Sequence, residues 1–211
     1  MVKKRGLKEA YSIKTPKDSI NLYKIWASTY DDDFATKNDY RSPLEIANYY
    51  EKYSNVEDSP ILDVGAGTGL IGECLNKNKG KNQIDGLDIS SEMLNLAKLK
   101  KCYRNLIQAD LTKKLIITDN YYGAILSAGT FTHGHVGPKV FDELLRIIKP
   151  NGLFIITIHT KIFQKGGFEK KLFQLHHKIT KPVFHEVRAY GNNADPEHGK
   201  DTVFVTVFRK K

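Results

Sequence analysis

The segment Ile61-Leu62-Asp63-Val64-Gly65-Ala66-Gly67-Thr68-Gly69-Leu70 constrains this chain more than any other. A short apolar run enters a loop with glycine at every second position, and a stretch with helical apolar spacing leaves it. Glycine is required where a side chain would hold a ligand away from the backbone. The unpaired N–H groups at the start of the next helix then face that ligand. A chain with this unit is expected to form an open α/β sheet. Its ligand should be nucleotide-like and lie beyond the carboxyl ends of the strands.

The flanking pattern extends the same fold. Strands are expected over 61–64, 83–89, 106–109, 123–127 and 153–158, and helices over 68–77, 91–101 and 138–149. This alternation predicts a doubly wound, mostly parallel sheet covered on both faces. The tail breaks the pattern. Residues 183–190 and 202–208 read as two strands joined by a Gly- and Asn-rich turn, which predicts an antiparallel hairpin at one edge of the sheet. Residues 11–53 read as helical, with Ile20, Tyr23, Ala27 and Tyr30 at helix spacing and Pro16 and Pro43 suited to first turns. The expected division is a helical cap over 1–57 and a ligand-binding domain over 58–211.

A length of 211 residues suffices for one full core and a small appendage. The longest purely apolar stretch, 153–156, is far too short to span a bilayer. Lys3, Lys4 and Arg5 are followed by no apolar run, so no secretory signal is expected. Cys74 and Cys102 have neither metal-ligand nor disulfide-framework spacing. Three consecutive acids, Asp31 to Asp33, point in different directions on a helix and read as a solvated helix end. No metal site is therefore expected, and a reducing, cytoplasmic setting fits best. The net charge of +9 raises a nucleic-acid partner. The basic residues are scattered, however, and only 161–181 is a candidate patch, so that partner is not favoured. Nothing in the sequence sets an oligomeric state.

Acidic residues sharpen the ligand. Asp88 ends the second expected strand about 20 residues after the glycine loop, the interval at which a carboxylate meets ribose hydroxyls. Asp110 follows the third strand, where it suits an adenine amino group. Asp63 stands just before the loop, and a carboxylate there repels a pyrophosphate. Leu70 occupies the position where the dinucleotide fingerprint needs a small residue. Both features argue against NAD and for a ligand carrying an ammonium or sulfonium group.

Asp63-Val64-Gly65-Ala66-Gly67-Thr68-Gly69 resembles the first motif of class I S-adenosylmethionine-dependent methyltransferases. Leu87-Asp88-Ile89-Ser90 with Met93, Leu94 and Ala97 is similar to their second-strand motif, and Gln108-Ala109-Asp110 to the third. Leu144 to Leu153 resembles the helix, turn and fifth strand that follow. Trp26-Ala27-Ser28-Thr29-Tyr30-Asp31 looks like the helical cap of many such enzymes. The segment from Ser127 to Val136 looks like the group akin to the Williams–Beuren-region methyltransferase. The resemblance covers 61–158. It implies a seven-stranded sheet with an antiparallel last strand. It also implies that Asp63 and the glycine loop hold the methionine end of S-adenosylmethionine, Asp88 the ribose and Asp110 the adenine. The expected cofactor-binding set is Tyr23, Trp26, Tyr30, Asp63, Gly65, Ala66, Gly67, Leu70, Asp88, Ile89, Met93, Asp110, Leu111 and Ser127.

The cofactor of such an enzyme carries the reactive chemistry, and a base is needed only if the acceptor must lose a proton. His133 and His135, in the loop after the fourth strand, are the candidate catalytic residues, with His159 at the end of the fifth strand behind them. His176, His177, His185 and His198 read as surface residues. Methyltransferases acting on exocyclic amines of nucleobases or on glutamine carry an Asn/Asp-Pro-Pro-aromatic motif after the fourth strand. Here Ser127-Ala128-Gly129-Thr130 stands there, which favours a small-molecule acceptor. The rival expectations are an NAD-type oxidoreductase and a non-catalytic cofactor-binding module on the same fold.

Overall fold

Thr15 opens the helix α1 (Pro16–Tyr30). Its side chain accepts from the backbone N–H of Asp18, and Asp18 accepts in return from Thr15 N–H. This reciprocal cap and Pro16 in the first turn fix where the helix starts. The computed structural model describes residues 9–10, 12–77, 83–192, 194, 196 and 198–211. The expectation about Lys3, Lys4 and Arg5 lies outside the described residues, as do positions 193, 195 and 197 of the hairpin turn.

The helix does not simply fray after Tyr30. It widens into a π-helical turn, Asp31–Thr36. Asp31 accepts from Thr68 Oγ1 at 2.5 Å and pairs with Lys100 Nζ at 2.8 Å, while Asp32 and Asp33 are exposed. The solvated helix end expected for the three acids therefore holds for two of them. Asp31 ties α1 to the glycine loop. A second helix, α2, spans Ser42–Tyr53.

The core follows in alternation: β1 (Ile61–Val64), α3 (Leu70–Lys77), β2 (Ile84–Asp88), α4 (Ser91–Leu99), β3 (Asn105–Gln108), β4 (Tyr122–Phe131), α5 (Val140–Ile147) and β5 (Ile148–His159). Two short helices, α6 (Thr160–Phe163) and α7 (Phe168–Gln174), lead to β6 (Val183–Arg188) and β7 (Thr202–Arg209). The seven strands form one sheet in the order β3-β2-β1-β4-β5-β7-β6. β1 to β5 are parallel, and β7 runs antiparallel to both β5 and β6. The tail is thus the expected antiparallel hairpin, but its second strand inserts next to β5 and its first forms the edge. β7 is the better candidate for the inner place because Val203, Val205, Val207 and Phe208 are all buried. β6 leaves Val183 and Phe184 exposed.

Period-two alternation sorts the strand residues between two layers. Leu62, Val64, Ile125, Phe154 and Ile156 face α5 and α7, where Phe141, Leu144, Phe168 and Leu172 complete one core. Ile61, Ala124, Leu126, Leu153 and Ile155 face the other layer, with Ile71 and Leu75 of α3 and Ile46, Ala47 and Tyr50 of α2. The helix α2 therefore covers the sheet, whereas α1 lies over the strand ends. There Trp26 and Phe34 pack with Ala189, Tyr190 and Val203. By the same alternation Asp63 points into the α2–α3 layer, and it is fully buried there. Among the described residues no helix is long and apolar enough to cross a membrane.

Candidate functional site

The site lies beyond the carboxyl ends of β1, β2, β3 and β4, under α1. Gly65 and Gly67 adopt positive φ, +72° and +54°. A Cβ on Gly65 would sit 2.0 Å from Thr130 Oγ1, so close approach as well as backbone conformation demands glycine there. Around Gly67 a Cβ would meet nothing within 4 Å, because the space above it is the cleft.

The empty space of that cleft, open solvent at its mouth included, is about 760 Å³. Tyr23, Tyr30, Gly65, Gly67, Asp88, Ile89, Met93, Asp110, Leu111 and His135 line it. A smaller recess of about 300 Å³ adjoins it through Tyr30, Gly65, Gly67 and Ala128, and is bordered by Asp63, Ala66 and Leu70. Trp26 and Ser127 from the expected set line neither. Trp26 is buried behind the cleft, its ring 6.2 Å from Tyr23 and 5.1 Å from Tyr30. Ser127 is buried and donates to the carbonyl of Val64 at 2.6 Å, which fixes the end of β1. Pro16, Ser19, Thr112, Thr130 and Val136 also line the cleft without having been expected. Pro16 and Ser19 belong to the first turn of α1, Thr130 to β4, and Thr112 and Val136 to the loops after β3 and β4.

Each acid has a distinct environment. Asp88 accepts from Gly67 N–H and from Ser90 N–H, both at 2.8 Å. Burial nonetheless raises its pKa above the usual carboxylate value. A carboxylate has about four lone-pair directions, so two remain for a ligand. The next helix is capped by Ser90, whose hydroxyl accepts from Met93 N–H. Asp110 turns Oδ1 to the backbone and hydroxyl of Thr112, at 2.9 and 2.7 Å. Asp63 accepts from Tyr103 Oη at 2.7 Å through Oδ2, while its buried Oδ1 has no partner. Burial pushes the Asp63 carboxyl up to about 7, against the lowering effect of the Tyr103 hydroxyl, with the nearby Asp88 adding to the rise.

The histidines divide. His135 lines the cleft, hydrogen-bonded to Tyr23 Oη through Nε2 (2.8 Å) and to the carbonyl of His133 through Nδ1 (3.0 Å). Because Nδ1 faces a carbonyl, it carries the proton, and Nε2 accepts from the tyrosine. Burial pushes the His135 pKa down to about 4. His133 stands away from the cleft lining with its ring edge-on to His159, 4.9 Å between centroids. His159 lies 3.5 Å from the buried Asp201, which Lys161 and His198 also approach. Two histidines expected at the surface are engaged instead. His185 meets Tyr53 Oη at 3.0 Å, and His198 lies 3.2 Å from Asp201, because the hairpin folds back onto α2 and β5.

Residues 62–156 match the family described as a methyltransferase domain. The chain thus carries a methyltransferase domain over those residues. Human methyltransferase-like protein 27 is 31% identical over 157 residues, which is 73% of this chain and 63% of that protein. Phosphoethanolamine N-methyltransferase 1 of Zea mays is 28% identical over 174 residues, 77% of this chain and 34% of that protein. The chain thus spans less than two thirds of the length of these curated relatives. In fold, the domain is similar to a SAM-dependent methyltransferase from Aquifex aeolicus. The TM-score is 0.57 at 23% identity, covering 83% of this chain and 94% of that one. The residues present fit S-adenosylmethionine: Asp63, which borders a recess beside the glycine loop, holds a buried carboxylate oxygen without a partner that an ammonium group would satisfy.

Proposed function

We propose that this chain transfers a methyl group from S-adenosylmethionine to a small-molecule acceptor in the cytoplasm. The observation that carries this is Asp63, a buried carboxylate with Oδ1 unpartnered, at the border of a recess that joins the glycine loop. A cation satisfies that oxygen, whereas a pyrophosphate is repelled by it. The bound cofactor would supply an electrophilic methyl group on a sulfonium sulfur.

The chain's own residues do the rest. Asp63 takes the ammonium group of the methionine end. Asp88 uses its two remaining lone-pair directions for ribose hydroxyls, and Asp110, through Oδ2, takes the adenine amino group. Leu111, Met93 and Ile89 bury the apolar faces. Tyr23 and Tyr30, carried by α1, cover the cleft and keep water out. The cap role assigned to 1–57 rests on α1 and the π turn. His135, paired with Tyr23, stands where an acceptor would enter. It is the better candidate base of the two, and His133 acts behind it. Holding donor and acceptor in register is the main contribution expected of such a site.

A small acceptor is supported by a relative named for N-methylation of phosphoethanolamine. In the basic stretch 161–181, Lys161 pairs with Asp201 and Lys171 with Asp142, which leaves less charge for a nucleic acid. Calorimetric titration tests the reading. S-adenosylhomocysteine should bind and raise Tm, and NAD should do neither. Tight NAD binding with no response to the thioether would overturn it.

A further inference from the structure

Tyr103 belongs to none of the motifs, yet it reaches both the strand before the glycine loop and the helix after it. It precedes β3. Its hydroxyl donates to Asp63 Oδ2 at 2.7 Å and accepts from Gly72 N–H at 3.1 Å. Gly72 lies in the first turn of α3, where backbone N–H groups have no partner inside the helix. With its lone pair taken by that N–H, the hydroxyl proton is directed at Asp63. The ring fits because three neighbours, Gly69, Gly72 and Gly86, lack side chains. A Cβ on Gly72 would meet it at 2.6 Å, and one on Gly86 at 3.1 Å.

We propose that Tyr103 is a positioning residue that turns Asp63 Oδ1 toward the recess, where it receives the ammonium group of the cofactor's methionine end. The proposal rests on the methyltransferase function argued above. The hydrogen bond fixes one carboxylate oxygen and leaves the other facing the ligand. It also favours the ionised form that an ammonium group needs. The titratable groups around Asp63 are Tyr103 from the approach to β3, Asp88 from the end of β2, and Tyr30 and Tyr40 across the recess. Each of the others is acidic or phenolic, so the tyrosine hydroxyl is the neighbour that stabilises the charge.

The test compares two ligands that share the adenosine moiety. S-adenosylhomocysteine carries the ammonium group, and 5′-methylthioadenosine lacks the whole amino-acid end. The variant Tyr103→Phe keeps the ring against Gly72 and Gly86 and removes only the hydroxyl. At pH 7 its affinity for S-adenosylhomocysteine should fall about tenfold for each unit by which loss of the hydroxyl raises the Asp63 pKa. Its affinity for 5′-methylthioadenosine should stay within about twofold of native. In the native protein, the Tyr103 ring-carbon NMR signal beside the hydroxyl should shift with the first ligand and not with the second. This readout does not depend on the variant folding. Equal weakening of both ligands, no weakening of either, or an unresponsive Tyr103 signal would each overturn the proposal. Failure of the native protein to bind either thioether would instead overturn the functional reading on which it rests.

Discussion

Replacing Asp88 by alanine removes two kinds of interaction, and the structure separates their sizes. The carboxylate accepts two backbone hydrogen bonds, from Gly67 and Ser90, which fix the glycine loop to the start of α4. Bonds to a charged acceptor contribute about 1.5–3 kcal/mol each. The N–H groups stranded by the substitution border an open cleft, so water restores part of that, and the expected cost in stability is about 1–3 kcal/mol. For a chain of this length that corresponds to a Tm lower by roughly 2–12 °C. The second loss is ligand binding. Removing the acceptor for the ribose hydroxyls should cost about 1.5–3 kcal/mol, or roughly ten- to hundredfold in Kd. Both S-adenosylhomocysteine and 5′-methylthioadenosine carry the ribose, so both should weaken, unlike the selective effect expected at Tyr103. Calorimetric titration of the folded variant, beside a thermal melt, gives both quantities. A folded Asp88→Ala protein with native affinity for both ligands would remove Asp88 from the site and refute the assignment.

Asp63→Asn should raise Tm at pH 8 in the absence of ligand while abolishing detectable S-adenosylhomocysteine binding. The Asp63 carboxyl stands near 7 in the folded protein against about 3.9 unfolded. Its contribution to stability is therefore greatest below pH 4, declines as pH rises to 7 and is flat above. Thermal melts of both proteins should agree at pH 4 and diverge at pH 8 by roughly 1–4 kcal/mol, and coincident curves at every pH would refute the burial argument. If His135 is the base, turnover should hold steady from pH 8 down to about pH 5.5 and fall only toward its folded pKa of about 4. A pH–rate profile with a midpoint near 6.5 would assign the base to a more exposed histidine. His135→Ala should lower turnover by roughly 10²–10⁴-fold with little change in cofactor affinity, and near-native turnover would leave positioning as the explanation.

The sequence by itself determined the elements whose geometry is local. The glycine loop could be read because positive φ at Gly65 and Gly67, the strand before it and the helix after it are dictated within a few residues. Asp88 and Asp110 could be read because a strand end fixes where the next residue points. Pro16 and Pro43 marked helix starts for the same reason. The tertiary structure decided everything that depends on which strands become neighbours. Tyr103 reaches Asp63 across 40 residues, and Tyr23 reaches His135 across 112. No period or motif encodes either pairing. The hairpin was legible as two strands, but only the burial of β7 on both faces sets it beside β5 and leaves β6 at the edge. Trp26 and Ser127 carried motif-like positions and yet serve packing and a strand-end hydrogen bond. Spacing fixes the direction a side chain leaves the backbone. Whether it meets a cavity, a carbonyl or another ring depends on packing between segments far apart in the chain.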